Sequence, residues 1–310
     1  MRLRRLVLLT VVFVMSCGDV FCQFVPFQDE DAIITPSFNT GVIRAERISK
    51  INMHFFSKPD GYPIKDEGFI RQYVFDTAGR LIESVSMGER NSISNAGVNC
   101  RYYYDASGNV VIKRSQVEDF YDTWYYTWNK EHLVQRETHV HETGELTEEG
   151  VYKIISQQII STDSFAYIAY PKQLQQYAYN EDKQYFRKTI TQYDDNKRFL
   201  SRDCRYAMGS LYEQITIQYD SLGRIAGYTN TGNTNGETSH TAKIEYNGRG
   251  EIEKREIWKE GKEQHQIEYM HDNETGLISN ELDRENDKAL ITIIRFSYEM
   301  YTEGYPVGTR

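Results

Sequence analysis

Three groups of residues in this chain have types and spacings that could do chemistry. The first is His139-Val140-His141-Glu142. On a β-strand, residues i and i+2 point to the same face, so both imidazoles could reach one zinc ion. Further ligands would have to come from elsewhere in the chain, and no motif marks them. Polar side chains on an exposed strand explain the run equally, and no metal or cofactor is expected. The second group comprises the recurring acids Asp76, Asp105 and Asp220, with Asn247 in the same place. Acid–base catalysis needs paired carboxyls whose environments push their pKa values apart. These acids each stand alone in one shared local sequence, which turn geometry explains. The third group is the aromatic run Trp124, Tyr125, Tyr126 and Trp128. Its rings could stack on a sugar or receive a partner's apolar side chains. No nucleophile elbow, phosphate loop or Cys–His pairing occurs. The chain therefore reads as non-catalytic.

The elements that must position these residues are repeated hairpins. YVFDTAGRLIES begins at Tyr73, YYYDASGNVVIK at Tyr102 and YTWNKEHLVQRE at Tyr126; further copies begin at Ile190, Ile217, Ile244 and Ile267. The aromatic before each turn falls at Phe75, Tyr104, Trp128, Tyr193, Tyr219, Tyr246 and Tyr269, with successive gaps of 29, 24, 65, 26, 27 and 23 residues. Within a copy, Ile215, Ile217 and Tyr219 alternate with Thr216 and Gln218, the period of a strand with one covered face. Asp220 opens the turn, where its carboxylate can accept backbone N–H groups, and Gly223 supplies the positive φ that closes it. The expectation is an all-β fold: an array of antiparallel β-hairpins in a long, twisted sheet, open or curled. The 24 tyrosines would cover that sheet.

The phrase Tyr219-Asp220-Ser221-Leu222-Gly223-Arg224-Ile225 resembles the YD repeat of the RHS proteins, and Phe75–Leu81 and Tyr104–Val110 follow it closely. The resemblance covers roughly residues 70 to 300. It implies a spiralling sheet of hairpins, which in long members closes around a toxin, and a link to carbohydrate binding at cell surfaces. Too few copies are present here for a large shell, and no toxin domain follows them.

Residues 1–22 read as a secretory signal, with basic MRLRR followed by apolar LVLLTVVFVM. Cys17 is a candidate for lipidation, in rivalry with ordinary cleavage after Cys22. Residues 23–45 read as a tether and 46–310 as the repeat domain. Without the signal, 33 basic residues face 44 acidic ones, a net charge of −11. That balance argues against nucleic acid and leaves membrane contact to a lipid anchor alone. Cys100 and Cys204 lie in non-adjacent copies and read as two buried thiols. The expected protein is an exported, bacterial envelope module that binds a glycan or protein partner. The alternative is an envelope scaffold that self-assembles without a small ligand.

Overall fold

A computed structural model describes residues 38–88, 99–117, 120–146, 152–233 and 238–302. Among these residues a short helix, α1 (Thr40–Ala45), precedes eighteen strands. They are β1 (Ile48–Pro59), β2 (Lys65–Phe75), β3 (Leu81–Met87), β4 (Asn99–Tyr104), β5 (Val110–Val117), β6 (Phe120–Trp128), β7 (Val134–Leu146), β8 (Tyr152–Tyr170) and β9 (Gln173–Tyr179). The second half holds β10 (Tyr185–Tyr193), β11 (Phe199–Tyr206), β12 (Tyr212–Tyr219), β13 (Ile225–Gly232), β14 (Thr238–Tyr246), β15 (Ile252–Lys259), β16 (Lys262–His271), β17 (Ile278–Glu285) and β18 (Leu290–Met300).

Each strand pairs antiparallel with the next, and β1 pairs on its other side with β18, from Ile48↔Met300 to Pro59↔Leu290. The hairpin array is as expected, but the open twisted sheet is not. The RISKINMHFF stretch (Arg47–Phe56) forms most of β1 and joins the two ends of the sheet. Closure satisfies backbone groups that an open edge would expose.

The turns repeat one arrangement at one rim. Asp220 Oδ1 accepts the backbone N–H groups of Leu222 and Arg224, both at 2.9 Å, and its Oδ2 pairs with Arg224. Asp76 and Asp194 do the same with Arg80 and Arg198. The arginine then lies over the aromatic ring of the next copy: Arg80 over Tyr104 at 4.7 Å, Arg198 over Tyr219 at 4.5 Å and Arg224 over Tyr246 at 4.2 Å. That same ring donates its hydroxyl back to the first residue of the previous return strand. Tyr104 donates to Leu81 O, Tyr219 to Phe199 O, Tyr246 to Ile225 O and Tyr298 to Ile278 O. Trp128 Nε1 donates to Val110 O in the equivalent place. The repeated phrase therefore does two jobs: it shapes its own turn and clamps the neighbouring copy.

Directly opposed residues share a face, so the register separates inside from outside. Ile51, Tyr73, Phe75, Tyr102, Tyr126, Ile215, Ile217, Ile244 and Ile267 point inward and are buried. Phe38 packs edge-on against Tyr73 and Phe75, and Ile43 of α1 is fully buried among the same core residues. The described end of the segment expected as a tether is thus packed against the barrel. Gly79, at φ +80°, allows this approach, because a Cβ there would lie 2.6 Å from Thr40 O. Cys100 and Cys204 are buried, free thiols.

The outward residues of many strands are charged, including Lys188, Asp203, Arg205, Lys243, Glu245, Lys254, Glu256, Glu268, Arg284 and Arg295. A lipid-spanning barrel carries an apolar outer band, and these strands do not present one. Among the described residues no helix is long and apolar enough to cross a membrane. The β7–β8 hairpin is the longest, and Lys153–Ser161 is exposed on both faces, so it projects from the barrel.

Candidate functional site

The inward faces of β5 to β12 enclose a cavity of about 660 Å³. Its wall follows from strand alternation: Lys113 on β5; Trp124, Tyr126 and Trp128 on β6; Glu137 on β7; Phe165 and Tyr167 on β8; and Gln176 on β9. Arg187 on β10, Arg202 and Tyr206 on β11, and Glu213 on β12 complete it. Aromatic rings, guanidinium groups, carboxylates and an amide thus converge on one space.

The structure divides the aromatic run expected to touch a ligand. Trp124, Tyr126 and Trp128 reach the cavity, while Tyr125 points outward, as period-two alternation requires. The Tyr125 hydroxyl instead bonds to the buried Glu142 carboxylate. Burial, and then that carboxylate, push its pKa up to about 12. Trp124 is not free to stack on a sugar by either face. Lys113 Nζ sits 5.1 Å from its ring centroid from the β5 side, and His139 stacks parallel to it at 4.6 Å from the β7 side. Tyr126 is buried and Trp128 is held by Val110 O. Cys17 lies outside the described residues.

Polar groups that carry no motif in the sequence continue the wall from β7 onward. Glu137 and Asp163 stand directly opposed on β7 and β8. Burial raises the pKa of both carboxyls, Asp163 adds to the rise at Glu137, and Arg187 counters it at each. Arg187 lines the cavity with its Nε buried and without a hydrogen-bond partner. Arg202 pairs with Glu213 at 3.2 Å. Tyr167 donates to Val134 O and accepts from Gln176 Nε2 at 2.8 Å, which fixes its ring. These residues fall in the 65-residue gap or just past it, where the repeat phrase is degenerate, so periodicity did not single them out.

On the outer face, Glu142 is fully buried and holds Arg114, Thr123 and Gln157 as well as Tyr125. Burial disfavours its charge, but hydrogen bonds from Tyr125, Thr123 and Gln157, together with the Arg114 charge, hold its carboxyl below the usual range. The turn acids take the structural role expected of them. Asp220 is held below the ordinary carboxyl range: burial opposes the shift, and its bonds to Arg224 and the turn backbone outweigh it.

No protein-family model matches the chain, and no curated protein matches it. Among solved structures, it is similar to a porin-like protein from Bacteroides uniformis, at 12% identity and a TM-score of 0.36, covering 81% of this chain and 98% of that one. A porin-like protein from Bacteroides vulgatus gives 10% identity, a TM-score of 0.34 and the same coverages. A chain of the Photorhabdus luminescens Tc holotoxin pore overlaps 72% of this chain but 16% of its own length, at 10% identity and a TM-score of 0.18. Likenesses this loose assign neither a family nor a function.

Proposed function

We propose that this chain is an exported, non-catalytic binding protein that takes a saccharide into its barrel cavity. The observation that carries the reading is the composition of one wall: Phe165, Tyr167 and Tyr206 stand beside Arg187, whose buried Nε has no partner. A buried donor without a partner is costly, and a sugar hydroxyl would supply the missing acceptor. Aromatic rings suit the apolar faces of a pyranose, while Gln176 and Glu137 offer further hydrogen bonds. The signal-like N-terminus supports export, and the charged outer face supports a barrel that is surrounded by water.

The test is a glycan-array screen of the purified protein, followed by calorimetric titration of the best ligand. Selective binding that is lost in Arg187→Gln and Tyr206→Ala supports the reading. Retention of no glycan, or equal binding by both variants, defeats it. Release of a hydrolysis product would contradict the non-catalytic part.

A specific observation also favours the scaffold alternative. The projecting β7–β8 hairpin exposes Ile154, Ile155, Ile159 and Ile160, with Ile155 at 67% and Ile159 at 64%. Exposed apolar residues on a projecting strand suit association with another copy. Light scattering would show an oligomer that Ile155→Asp and Ile159→Asp dissolve; a monomer at all concentrations removes this alternative.

A further inference from the structure

We propose that Asp122, His139 and His141 form a binding site for one zinc-class divalent cation on the inner face of the barrel. The two histidines lie at i and i+2 on β7, and the register places Asp122 of β6 directly opposite His141. Both imidazole Nε2 atoms approach the same carboxylate oxygen, His139 at 2.9 Å and His141 at 2.8 Å from Asp122 Oδ1. One ligand atom from each residue lies within 4.8 Å of the others.

The arrangement is close to what a metal needs. Zinc–ligand bonds of about 2.0–2.1 Å in a tetrahedron put ligand atoms about 3.3 Å apart. Opening the two imidazole–carboxylate separations by about 0.5 Å, with the ligand atoms all within 4.8 Å of one another, would therefore seat an ion after χ rotations of these side chains. All three residues are partly exposed, so the ion has a route in. Two imidazoles and one carboxylate favour zinc and its neighbours over magnesium or calcium, which prefer oxygen donors. Three protein ligands leave a fourth position open to water or to another ligand.

The surroundings hold the ligands in place. Trp124 stacks parallel on His139, and Phe120 packs against His141 at 4.9 Å between centroids. Trp124 also lines the cavity, so the metal would stand at the edge of that space. The site rests on these three side chains and does not depend on which ligand the cavity takes.

Titration of the purified protein with zinc, after chelator treatment, should show one ion per chain. Asp122→Asn, His139→Gln and His141→Gln should each weaken binding by more than about 100-fold, beyond the 10–100-fold loss expected of a change outside the ligand set. Circular dichroism spectra matching the wild type would show that the variants still fold. Copper(II) should quench tryptophan emission, and Trp124→Phe should remove most of that quenching. An absence of stoichiometric zinc binding would overturn the proposal. So would zinc binding that survives all three substitutions, or quenching that survives Trp124→Phe.

Discussion

Replacing Glu142 by alanine should be among the most damaging single changes to this protein. The Glu142 side chain is 0% exposed, and Arg114, its ion partner at 2.9 Å, is 9% exposed. Deleting the carboxylate would take the ion partner from a guanidinium in a site with almost no water and would remove an acceptor shared by Thr123, Tyr125 and Gln157. Removing one member of a buried pair costs about 3–5 kcal/mol. The three hydrogen bonds lost with the carboxylate place the expected loss near the top of that range. The reverse operation should be mild: Arg114→Met with Glu142→Leu removes both charges, and apolar replacement of a buried pair is often close to neutral. Urea denaturation followed by circular dichroism would measure both variants, provided each unfolds in a single transition. The reasoning is refuted if Glu142→Ala loses less than about 1 kcal/mol, the scale of an exposed pair. It is also refuted if the double variant is no more stable than Glu142→Ala.

Two further predictions concern the repeat and the barrel interior. Asp220→Ala removes an acceptor for two backbone N–H groups and the partner of Arg224, so it should cost about 1–3 kcal/mol by denaturant melt. Asp220→Asn, which can still cap the turn as Asn247 does, should recover much of that loss. Burial raises Glu281 from 4.5 to about 7, Arg255 opposes the rise and Asp283 adds to it. Because the folded-state value stands above the unfolded one, the native state keeps this proton where the unfolded chain has released it. The contribution is then fully present below pH 4.5 and is lost as pH rises toward about 7. Glu281 is partly exposed, and solvent screening should hold the loss to about 2 kcal/mol rather than the larger figure for a dry site. Melting temperatures across that range should fall in the wild type and flatten in Glu281→Gln.

The hairpins were legible because each copy carries its own turn chemistry. Asp220 and Gly223 say where the chain reverses, and the alternation around Ile217 says which face is covered. Closure was not legible, because it depends on β1 meeting β18 across nearly the whole chain, and no local pattern encodes that meeting. The role of arginine in the phrase was also hidden. Arg224 makes sense only when Tyr246 of the next copy is seen beneath it.

Part of the site is written in strand alternation and register. Alternation alone separates Tyr125 from Trp124 and Tyr126. From Tyr121 to Thr127 the β6–β7 pairing keeps a constant sum of residue numbers, with 122 opposite 141 and 124 opposite 139. Working outward from the Asn129 turn, with one residue allowed for the bulge at Thr127/Trp128, places Asp122 opposite His141. Arg187 and Tyr167 carried no such signal, since β8 to β10 lie within the degenerate gap.

The central claim is that the repeats close into a ring around the cavity. Cysteines placed at Asn52 and Ser297 test it directly, because the two positions face each other across β1 and β18 and point outward. Opposed residues of an antiparallel pair have Cα atoms about 4.5–5.5 Å apart, within reach of a disulfide. Under mild oxidation the closed barrel should form the Asn52→Cys/Ser297→Cys link within single chains, seen as a shift in gel mobility that reductant reverses. An open sheet would hold these strands apart, and failure of that link to form in folded protein would contradict the closed ring.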